Sequence, residues 1–376
     1  MAARMPPSDH AGAVLTIDLG AVARNYSTLR DRLGGVACAG VVKGNAYGLG
    51  VTEIAPVLAR QGCEKFFVAT LDEAIELRGL LPDVKIPVLN GVMAGSEALF
   101  ADHDLLPVLN DLDQIERLAA LSRLRGGEPL EAIVHMDTGM CRLGLPPEET
   151  RRLAAEPQRL DGLRLILVMS HLISAEEPDN PLNPAQRATF DELRAGLPQA
   201  PASFANSSGI FLGPEYHYDL ARPGVSLYGV NPTPTKPNPM AEVFSLHSKI
   251  IQVRDVDRPQ TVGYGAAHQV AAQARIATVP VGYADGYLRS LSDDKVRERA
   301  FAAIGDVRVP VVGRVSMDLI TLDVTALRPD QAVAGTEVQL IGGACPIEEI
   351  AARGGTIAYE IINLLGPRLQ RRYIGS

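Results

Sequence analysis

Among the 376 residues of this sequence, Lys43 is the one best placed to act as a reactive group. It follows the apolar run Val36–Val42 and precedes the glycine-rich stretch Gly44–Gly50, in which Tyr47 offers a hydroxyl. Glycines permit close backbone approach, and a lysine desolvated beside them could act as a nucleophile or form a Schiff base. The spacing fits neither a Walker A loop nor a dinucleotide fingerprint. On this spacing alone, an exposed loop lysine is the alternative.

A parallel sheet is the element that must position Lys43, because short apolar runs alternate with helix-like segments over residues 36–230. Eight runs are predicted to be strands: Val36–Val42, Phe66–Ala69, Ile86–Asn90, Leu105–Leu109, Leu130–Met136, Leu163–Ser170, Pro201–Ala205 and Val225–Val230. The segments between them include Val51–Gln61, Leu71–Leu80, Asp111–Leu121 and Pro184–Gly196. Eight repeats predict a closed (β/α)8 TIM-like barrel, with an open doubly wound sheet as the alternative.

Reactive groups of such a barrel lie at the C-terminal ends of its strands. Among the six lysines of the sequence, only Lys43 ends a predicted barrel strand. The others enter a strand from the opposite end or lie beyond the barrel: Lys65, Lys85, Lys236, Lys249 and Lys295. Lys43 is therefore the candidate nucleophile.

A proline-rich stretch, Asn231–Met240, predicts a boundary between two domains. We expect the barrel over residues 13–240 and a mainly β domain over residues 241–376. Strands of the second domain are predicted at Phe244–Arg254, Ala274–Val281, Val307–Val312, Ser316–Asp323 and Glu337–Ile341, with helical patches near Ile347–Ala352 and Ile357–Leu365. Ala13–Asp18 is also strand-like and could pair with either domain.

Composition excludes several classes of function. With 46% apolar residues there is ample material for buried cores, and the net charge of −8, without a basic stripe, argues against a nucleic-acid partner. No stretch approaches the ~20 apolar residues that span a bilayer, and the N-terminal tail lacks the apolar region of a signal peptide. The four cysteines form no CxxC pair, so reduced thiols are the default. These features predict a cytoplasmic protein without a membrane partner.

The stretch Val41–Gly50 closely resembles the pyridoxal-phosphate (PLP) lysine motif of alanine racemases. Further strings of that family's pattern recur in order: Asp137–Gly144, Ser170–Leu172, Ala205–Ser207, Ala221–Gly224, Gly263–Gly265, Gly282–Gly286, Gly313–Asp318 and Ala358–Glu360. Each string is weak alone, but together and in order they are strong. The family's fold, a PLP-binding barrel followed by a β domain, in homodimers with shared active sites, agrees with the architecture predicted above.

The resemblance implies that Lys43 forms the Schiff base with PLP and is the proton-transfer base on one face of the substrate. Tyr264, from the partner subunit, would be the base on the opposite face, since inverting a Cα needs a proton removed from one face and delivered to the other. A tyrosine with an unperturbed pKa of about 10 is a poor base at neutral pH, so it needs positive charge nearby. The resemblance assigns this charge to a hydrogen-bond chain of His171 and Arg222. Without the resemblance, Tyr264 reads as a β-strand tyrosine with a solvated hydroxyl.

Arg222 would lie against the pyridine nitrogen of PLP. A guanidinium can only donate hydrogen bonds, so the ring nitrogen would stay unprotonated and withdraw electrons more weakly. This would shorten the life of the carbanion and suppress side reactions such as transamination. The alternative is an arginine that caps a strand end before Pro223.

The resemblance also implies the sites for phosphate and substrate. Phosphate would be bound by Tyr47, Ser207, Tyr359 and the backbone of Gly224 and Val225. Asn206–Gly209 also reads as a helix N-cap, which attracts anions. The substrate carboxylate would be bound by Arg142 and the backbone of Met317, with Asp318 of the partner beside it, and Tyr283 and Tyr359 would narrow the entrance. For Met317 and Tyr283 the alternative is core packing.

The sequence departs from the family pattern at three positions. Gly44 and Leu49 replace the usual alanine and histidine, which affects loop packing more than chemistry. His135 stands where many members have a lysine whose carbamate pairs with the arginine at Arg142. Because histidine cannot form that carbamate, we hypothesise that His135, a bound anion or another carboxylate orients Arg142.

These features predict a PLP-dependent alanine racemase that supplies D-alanine for peptidoglycan. Racemases of serine or lysine, or of broader scope, are close alternatives. A related decarboxylase should lack Tyr264 in this setting. A non-catalytic PLP-binding module usually lacks the second domain and has no use for a second base.

Overall fold

The computed structural model describes residues 10–293 and 298–375, so the N-terminal residues 1–9 and Lys295 lie outside the described residues. The chain divides into two compact units. We call residues 22–241 the barrel unit, and the described residues of 10–21 and 242–375 the β unit.

Parallel strands form a closed ring in the barrel unit. Its first position holds two short strands, and the strands in chain order are β2 (Ala37–Cys38), β3 (Gly40–Val41), β4 (Phe66–Phe67), β5 (Pro87–Val88), β6 (Leu106–Leu109), β7 (Leu130–His135), β8 (Leu163–Met169), β9 (Ala202–Ser203) and β10 (Leu220–Ala221). The ring closes because Ala39 N–H donates to Ala221 O (2.9 Å) while Gly40 N–H donates to Lys65 O (2.9 Å). The predicted (β/α)8 barrel is confirmed, and the open sheet is wrong.

The eighth strand lies earlier in the chain than predicted. It is β10, which pairs in parallel with β2, whereas Val225–Tyr228 forms a buried 3₁₀ helix. A short apolar run does not distinguish a buried strand from a buried helical turn. Pro223 also lacks the N–H that a continuing strand requires. The correction places Arg222 directly after the strand, where barrel chemistry is expected.

The helices follow the predicted alternation. In chain order they are α1 (Leu19–Leu33), α2 (Lys43–Tyr47), α3 (Val51–Arg60), α4 (Leu71–Leu80), α5 (Glu97–Asp102), α6 (Leu112–Arg125), α7 (Pro147–Ala155), α8 (Leu182–Ala195), α9 (Ile347–Gly354) and α10 (Ala358–Leu364). The element α2 is a special turn described below. Helix α4 coincides with its prediction because Thr70 and Glu73 form a capping box at its start.

A nine-stranded sheet organises the β unit, in the order β12-β15-β18-β17-β16-β19-β11-β1-β20. The strands of the unit are β1 (Ala13–Asp18), β11 (Phe244–Lys249), β12 (Gln252–Val256), β13 (Gln260–Val262), β14 (His268–Val270), β15 (Ala274–Val279), β16 (Phe301–Ile304), β17 (Val307–Val312), β18 (Ile320–Asp323), β19 (Glu337–Ile341) and β20 (Gln370–Ile374). The N-terminal strand β1 pairs antiparallel with β11 and parallel with β20.

Two predicted strands of this unit are wrong in their extent. The stretch 244–254 contains β11 and β12, which have different partners. The stretch 316–323 is a strand only from Ile320, because Ser316 N–H donates to Leu319 O (3.0 Å) and Leu319 N–H donates to the Ser316 hydroxyl (3.0 Å). The turn closed by these bonds carries Met317 and Asp318.

No helix within the described residues combines the length and apolar character that crossing a membrane requires.

Replacing Leu15 should destabilise the β unit, because this side chain is fully buried in β1. We expect Leu15→Ala to lower the free energy of unfolding by about 2–5 kcal/mol through lost burial and the cavity left behind. Thr16→Ala, on the partly exposed face of the same strand, is the matched control and should change it by less than about 1 kcal/mol. Urea unfolding followed by circular dichroism measures both, and equal effects would contradict the placement of β1.

Candidate active site

Lys43 lies at the C-terminal end of the first barrel strand, immediately before a left-handed turn. The φ angles of Gly44, Asn45 and Ala46 are 63°, 55° and 52°, and that of Tyr47 is 55°. Left-handed backbone costs about 1–2 kcal/mol for each residue with a side chain. Surrounding structure must therefore hold the turn in place.

Hydrogen bonds supply this support. Ala46 N–H donates to Val42 O (2.8 Å), and Gly48 N–H donates to Gly44 O (2.7 Å). The Asn45 side chain accepts the N–H of Val51 at the start of α3 (2.8 Å). The turn is fixed at both ends, so it directs Lys43 and Tyr47 reproducibly.

Glu73 ties the Lys43 turn to the neighbouring repeat. One of its carboxylate oxygens accepts the N–H of Gly44 (2.7 Å), and the other accepts the N–H groups of Ala69 (2.8 Å) and Thr70 (3.3 Å). The first bond fixes the backbone next to Lys43. It also brings a negative charge close to the lysine.

The environment of Lys43 lowers the pKa of its amine and so favours the neutral form. Burial lowers the pKa of Lys43, Arg142 and Arg222 lower it further, and Glu73 opposes them. A lysine with a lowered pKa has more neutral amine at physiological pH, which is the form that attacks a carbonyl. The predicted nucleophile therefore has the required environment.

Arg222 is a buried cation, only 4% exposed. It donates to Ser170 O (2.6 Å) and to the Ser203 hydroxyl, and it approaches His171 Nδ1 at 3.5 Å. Among the described residues it forms no salt bridge. Burial lowers the pKa of Arg222 to about 10, so the side chain stays protonated at neutral pH. A buried charge without a carboxylate partner favours an electron-rich ligand group beside it.

His171 is neutral. Burial, followed by the charges of Arg222 and Arg142, lowers its pKa well below the usual value. Because a guanidinium can only donate, His171 Nδ1 accepts from Arg222 and the ring proton resides on Nε2. Of the two side chains, Arg222 therefore carries the positive charge. The neutral His171 accepts a hydrogen bond from it and can donate another from Nε2.

His135 is also buried and neutral, and its tautomer follows from its neighbour. Asn110 uses its amide N–H groups on Leu89 O and Val108 O (3.1 and 3.0 Å), so its oxygen faces His135 Nδ1 at 2.8 Å and accepts. Burial, followed by the charge of Arg222, lowers the pKa of His135 to about 3. The ring therefore keeps Nε2 as a free acceptor.

Arg142 lies in an exposed loop that Asp137 organises. The Asp137 carboxylate accepts the N–H groups of Gly139 (2.9 Å), Met140 (2.8 Å) and Cys141 (2.9 Å). These bonds fix the backbone up to the residue before Arg142. The guanidinium itself forms no salt bridge with the described residues.

Ser207, Gly224 and Tyr47 form a tight polar cradle. The Ser207 hydroxyl accepts the N–H groups of Gly224 (3.0 Å) and Ser226 (3.3 Å). A Cβ atom on Gly224 would lie 2.4 Å from the Tyr47 hydroxyl oxygen, so only glycine fits there. Hydroxyls and backbone amides of this kind suit a phosphate.

The predicted N-cap at residues 206–209 needs correction. The helix it precedes is only a 3₁₀ turn, Gly209–Phe211, and the Asn206 side chain accepts the N–H of Gly209 (2.8 Å) at its start. Ser207 is thereby left to the cradle.

The remaining predicted residues belong to the β unit. Tyr264 is 72% exposed in a turn between β13 and β14, so it is not a strand residue. Tyr283 and Met317 are 43% and 52% exposed, so the core-packing alternative is wrong for both. Tyr359 lies half-buried at the start of α10, and Asp318 accepts a bond from Arg368 (2.7 Å).

Nine of the predicted residues share the barrel unit and lie at or after the C-terminal ends of its strands: Lys43, Tyr47, His135, Arg142, His171, Ser207, Arg222, Gly224 and Val225. Sequence reasoning missed Glu73, Asn110 and the structural role of Asp137. The Thr70–Glu73 capping box was a visible signal for Glu73. No local pattern marked Asn110.

Similarity to known proteins covers the whole architecture. Family models of the alanine racemase N-terminal and C-terminal domains match residues 17–232 and 243–373. The alanine racemase of Rhodospirillum rubrum is 49% identical over 99% of this chain and 98% of its own length. A catabolic alanine racemase of Mesorhizobium japonicum is 48% identical over 97% of this chain and 94% of its own length. The crystal structure of Bartonella henselae alanine racemase with covalently bound pyridoxal phosphate is 38% identical, with a TM-score of 0.92 over 97% of this chain and all of that chain.

Glu73→Gln should lower the pKa of Lys43 further, because it removes the negative charge that opposes burial. The neutral amine then persists to lower pH, so the midpoint for labelling Lys43 with an amine-reactive reagent should shift to lower pH. Peptide mass spectrometry across a pH series measures it. Glutamine keeps only one of the two acceptor oxygens, so thermal unfolding is measured first to verify that the variant folds.

Glu76→Gln is the matched control, since Glu76 is exposed on the same helix. It should leave the midpoint in place. A shift to higher pH in Glu73→Gln, or equal shifts in both variants, would contradict the assignment.

Proposed function

The chain belongs to the alanine racemase family, and from this premise we propose that it interconverts L- and D-alanine with PLP held in the barrel unit. The observation that carries the proposal is the lowered pKa of Lys43 beside the buried Arg222 cation. An amine that loses its proton more readily than usual, and a guanidinium without a carboxylate partner among the described residues, are groups that suit an aldehyde and a ring nitrogen.

The barrel residues fit PLP at three of its functional groups. Lys43 suits the aldehyde, Arg222 the ring nitrogen, and the cradle of Tyr47, Ser207 and Gly224 the phosphate, with Val225 adding its backbone. The phosphate contact of Tyr359 is implied by the family resemblance alone. When bound, PLP supplies a conjugated ring that withdraws the electrons released when the substrate Cα loses its proton.

Lys43 and Tyr264 are proposed to move that proton on opposite faces of the substrate. The Lys43 amine takes it from one face, or returns it there, because its lowered pKa leaves it able to act as a base near neutral pH. The exposed Tyr264, from the partner subunit in a homodimer with shared active sites, acts on the other face.

The neutral His171 connects Arg222 to this second base. With its ring proton on Nε2, His171 donates to the Tyr264 oxygen of the partner, and the Arg222 charge behind it stabilises the phenolate. Tyrosine thereby acts as a base without a lysine or metal beside it. This hydrogen-bond chain requires Arg222 to be charged and His171 to be neutral. Both requirements agree with the pKa of about 10 for Arg222 and with the lowered pKa of His171.

Arg142 and the Met317 amide are proposed to bind the substrate carboxylate, with Asp318 beside Met317. Tyr283 and Tyr359 narrow the entrance to favour a small side chain. Met317 N–H makes no hydrogen bond with the described residues, so it is available to a ligand.

We place the reaction in the cytoplasm, supplying D-alanine for peptidoglycan; the four free cysteines fit a reducing compartment. A catabolic role is the second candidate, because the relative from Mesorhizobium japonicum is named catabolic. Gene deletion separates the two, since loss of a biosynthetic enzyme creates a requirement for D-alanine.

Chiral chromatography of L-alanine incubated with the purified protein and PLP tests the proposed reaction directly. We expect D-alanine to appear well ahead of inverted serine or lysine in parallel incubations. Binding of PLP without inversion of any enantiomer would overturn the two-base assignment.

Shared active sites are testable by mixing inactive Lys43→Ala and Tyr264→Phe protomers. Each mixed dimer would combine one intact Lys43 with one intact Tyr264, so equal mixing should restore about one quarter of wild-type activity. No recovery after subunit exchange, verified by mass spectrometry of tagged protomers, would contradict sharing.

His135→Ala should raise the KM for alanine, because the Nε2 acceptor is proposed to orient Arg142. We expect about tenfold or more, since a hydrogen bond to a charged group contributes about 1.5–3 kcal/mol. Steady-state kinetics measures it. His217→Ala is the matched control, because His217 is similarly buried but forms its hydrogen bond with Ile210 O (2.9 Å). This variant should leave the KM for alanine unchanged. An unchanged KM in His135→Ala would exclude a role for His135.

A further inference from the structure

Two loops of the β unit hold residues proposed to receive the substrate. We call residues 282–286 the entrance loop and residues 316–318 the amide loop. Tyr283 N–H donates to Ser316 O (3.1 Å), and Ala284 N–H donates to Met317 O (3.0 Å). A Cβ atom on Gly282 would lie 2.3 Å from Met317 O, so the backbones are in direct contact.

Arg368 joins both loops through one guanidinium. Its Nε and Nη2 donate to the two oxygens of Asp285 (2.9 Å each), and its Nη1 donates to Asp318 (2.7 Å). Asp285 is only 5% exposed and also accepts the N–H of Gly282 (2.9 Å). The entrance loop is thus anchored through Asp285, and the amide loop through Asp318.

These contacts fix the direction of the Met317 amide. The carbonyls of Ser316 and Met317 are both bound to the entrance loop, and Asp318 is bound to Arg368. The Met317 peptide lies between these fixed points, and its N–H makes no hydrogen bond with the described residues. Arg368 also offsets two carboxylate charges that would otherwise repel an approaching carboxylate.

We propose that Arg368 is a positioning residue that holds the Met317 amide in the direction in which it binds the substrate carboxylate. The proposal rests on the proposed function, because the binding role of Met317 does. Arginine is required since its planar fork reaches two carboxylates at fixed angles, whereas a lysine ammonium is a point charge.

Arg368→Lys tests the proposal, because it keeps the charge and removes the fork. We expect the KM for L-alanine and the inhibition constant of propionate, a competitor with only the carboxylate, to rise about tenfold, with kcat changed less than about threefold. A merely structural role would instead lower the fraction of active enzyme, and kcat would fall without a change in either constant.

Arg308→Lys is the matched control. Arg308 forms a similar fork with Glu349 in the same unit (2.7 and 3.2 Å), and its side chain is 44% exposed, against 48% for Arg368. It should leave KM and the propionate constant unchanged. If Arg368→Lys folds and gives wild-type constants, the proposal is overturned.

Asp318→Ala keeps the proposal testable if Arg368→Lys fails to fold. It cuts only the half-exposed arm of the fork, which contributes little to stability. Loss of a negative charge alone would favour carboxylate binding, so a higher KM supports positioning, and an equal or lower KM overturns it. Wild-type protein is assayed in parallel: failure to racemise alanine would instead overturn the proposed function itself.

Discussion

Desolvation of positive charge at one end of the barrel is the constraint on which the proposed chemistry depends. Lys43, Arg142 and Arg222 interact electrostatically there, with Glu73 as the opposing charge on Lys43. Burial affects Lys43, His135 and His171 differently from Arg222, because an amine and an imidazole lose their protons far more readily than a guanidinium does. Lys43, His135 and His171 therefore move towards their neutral forms, while Arg222 stays charged. One environment thus favours the neutral amine at Lys43 and the cation at Arg222.

The left-handed turn after Lys43 shows what this arrangement costs the backbone. Asn45, Ala46 and Tyr47 all have positive φ angles, which an isolated chain rarely adopts. A strand that continued past Lys43 would carry the Tyr47 hydroxyl away from Gly224, whereas the turn brings the two into contact. Strained backbone of this kind persists only where the surrounding structure holds it in place. Glu73 of the next repeat provides part of this support by accepting the N–H of Gly44.

Local patterns in the sequence predicted the strand–helix alternation and the position of Lys43 at a strand end, because both depend on neighbouring residues. The other site residues were assigned only through the resemblance to family motifs. The eighth strand was misplaced because a short apolar run such as Val225–Tyr228 is compatible with either a strand or a buried helical turn. Supporting residues were missed for a different reason: Glu73 lies 29 residues from Gly44, and Arg368 lies 83 residues from Asp285. Contacts at such separations leave no periodic signal, so they become visible only once the fold brings them together.

His135 connects the departure from the family pattern to the reactivity of Lys43. A lysine carbamate at this position would place a negative charge near Arg142, whereas a neutral imidazole can accept a hydrogen bond but neutralises nothing. Arg142 therefore keeps its full charge, and after burial that charge is the largest cause lowering the pKa of Lys43. The backbone bonds of Asp137 fix the loop that carries Arg142 without an anion at the guanidinium. A histidine in place of a carbamate thus leaves more positive charge around Lys43, which favours the neutral form of its amine at lower pH.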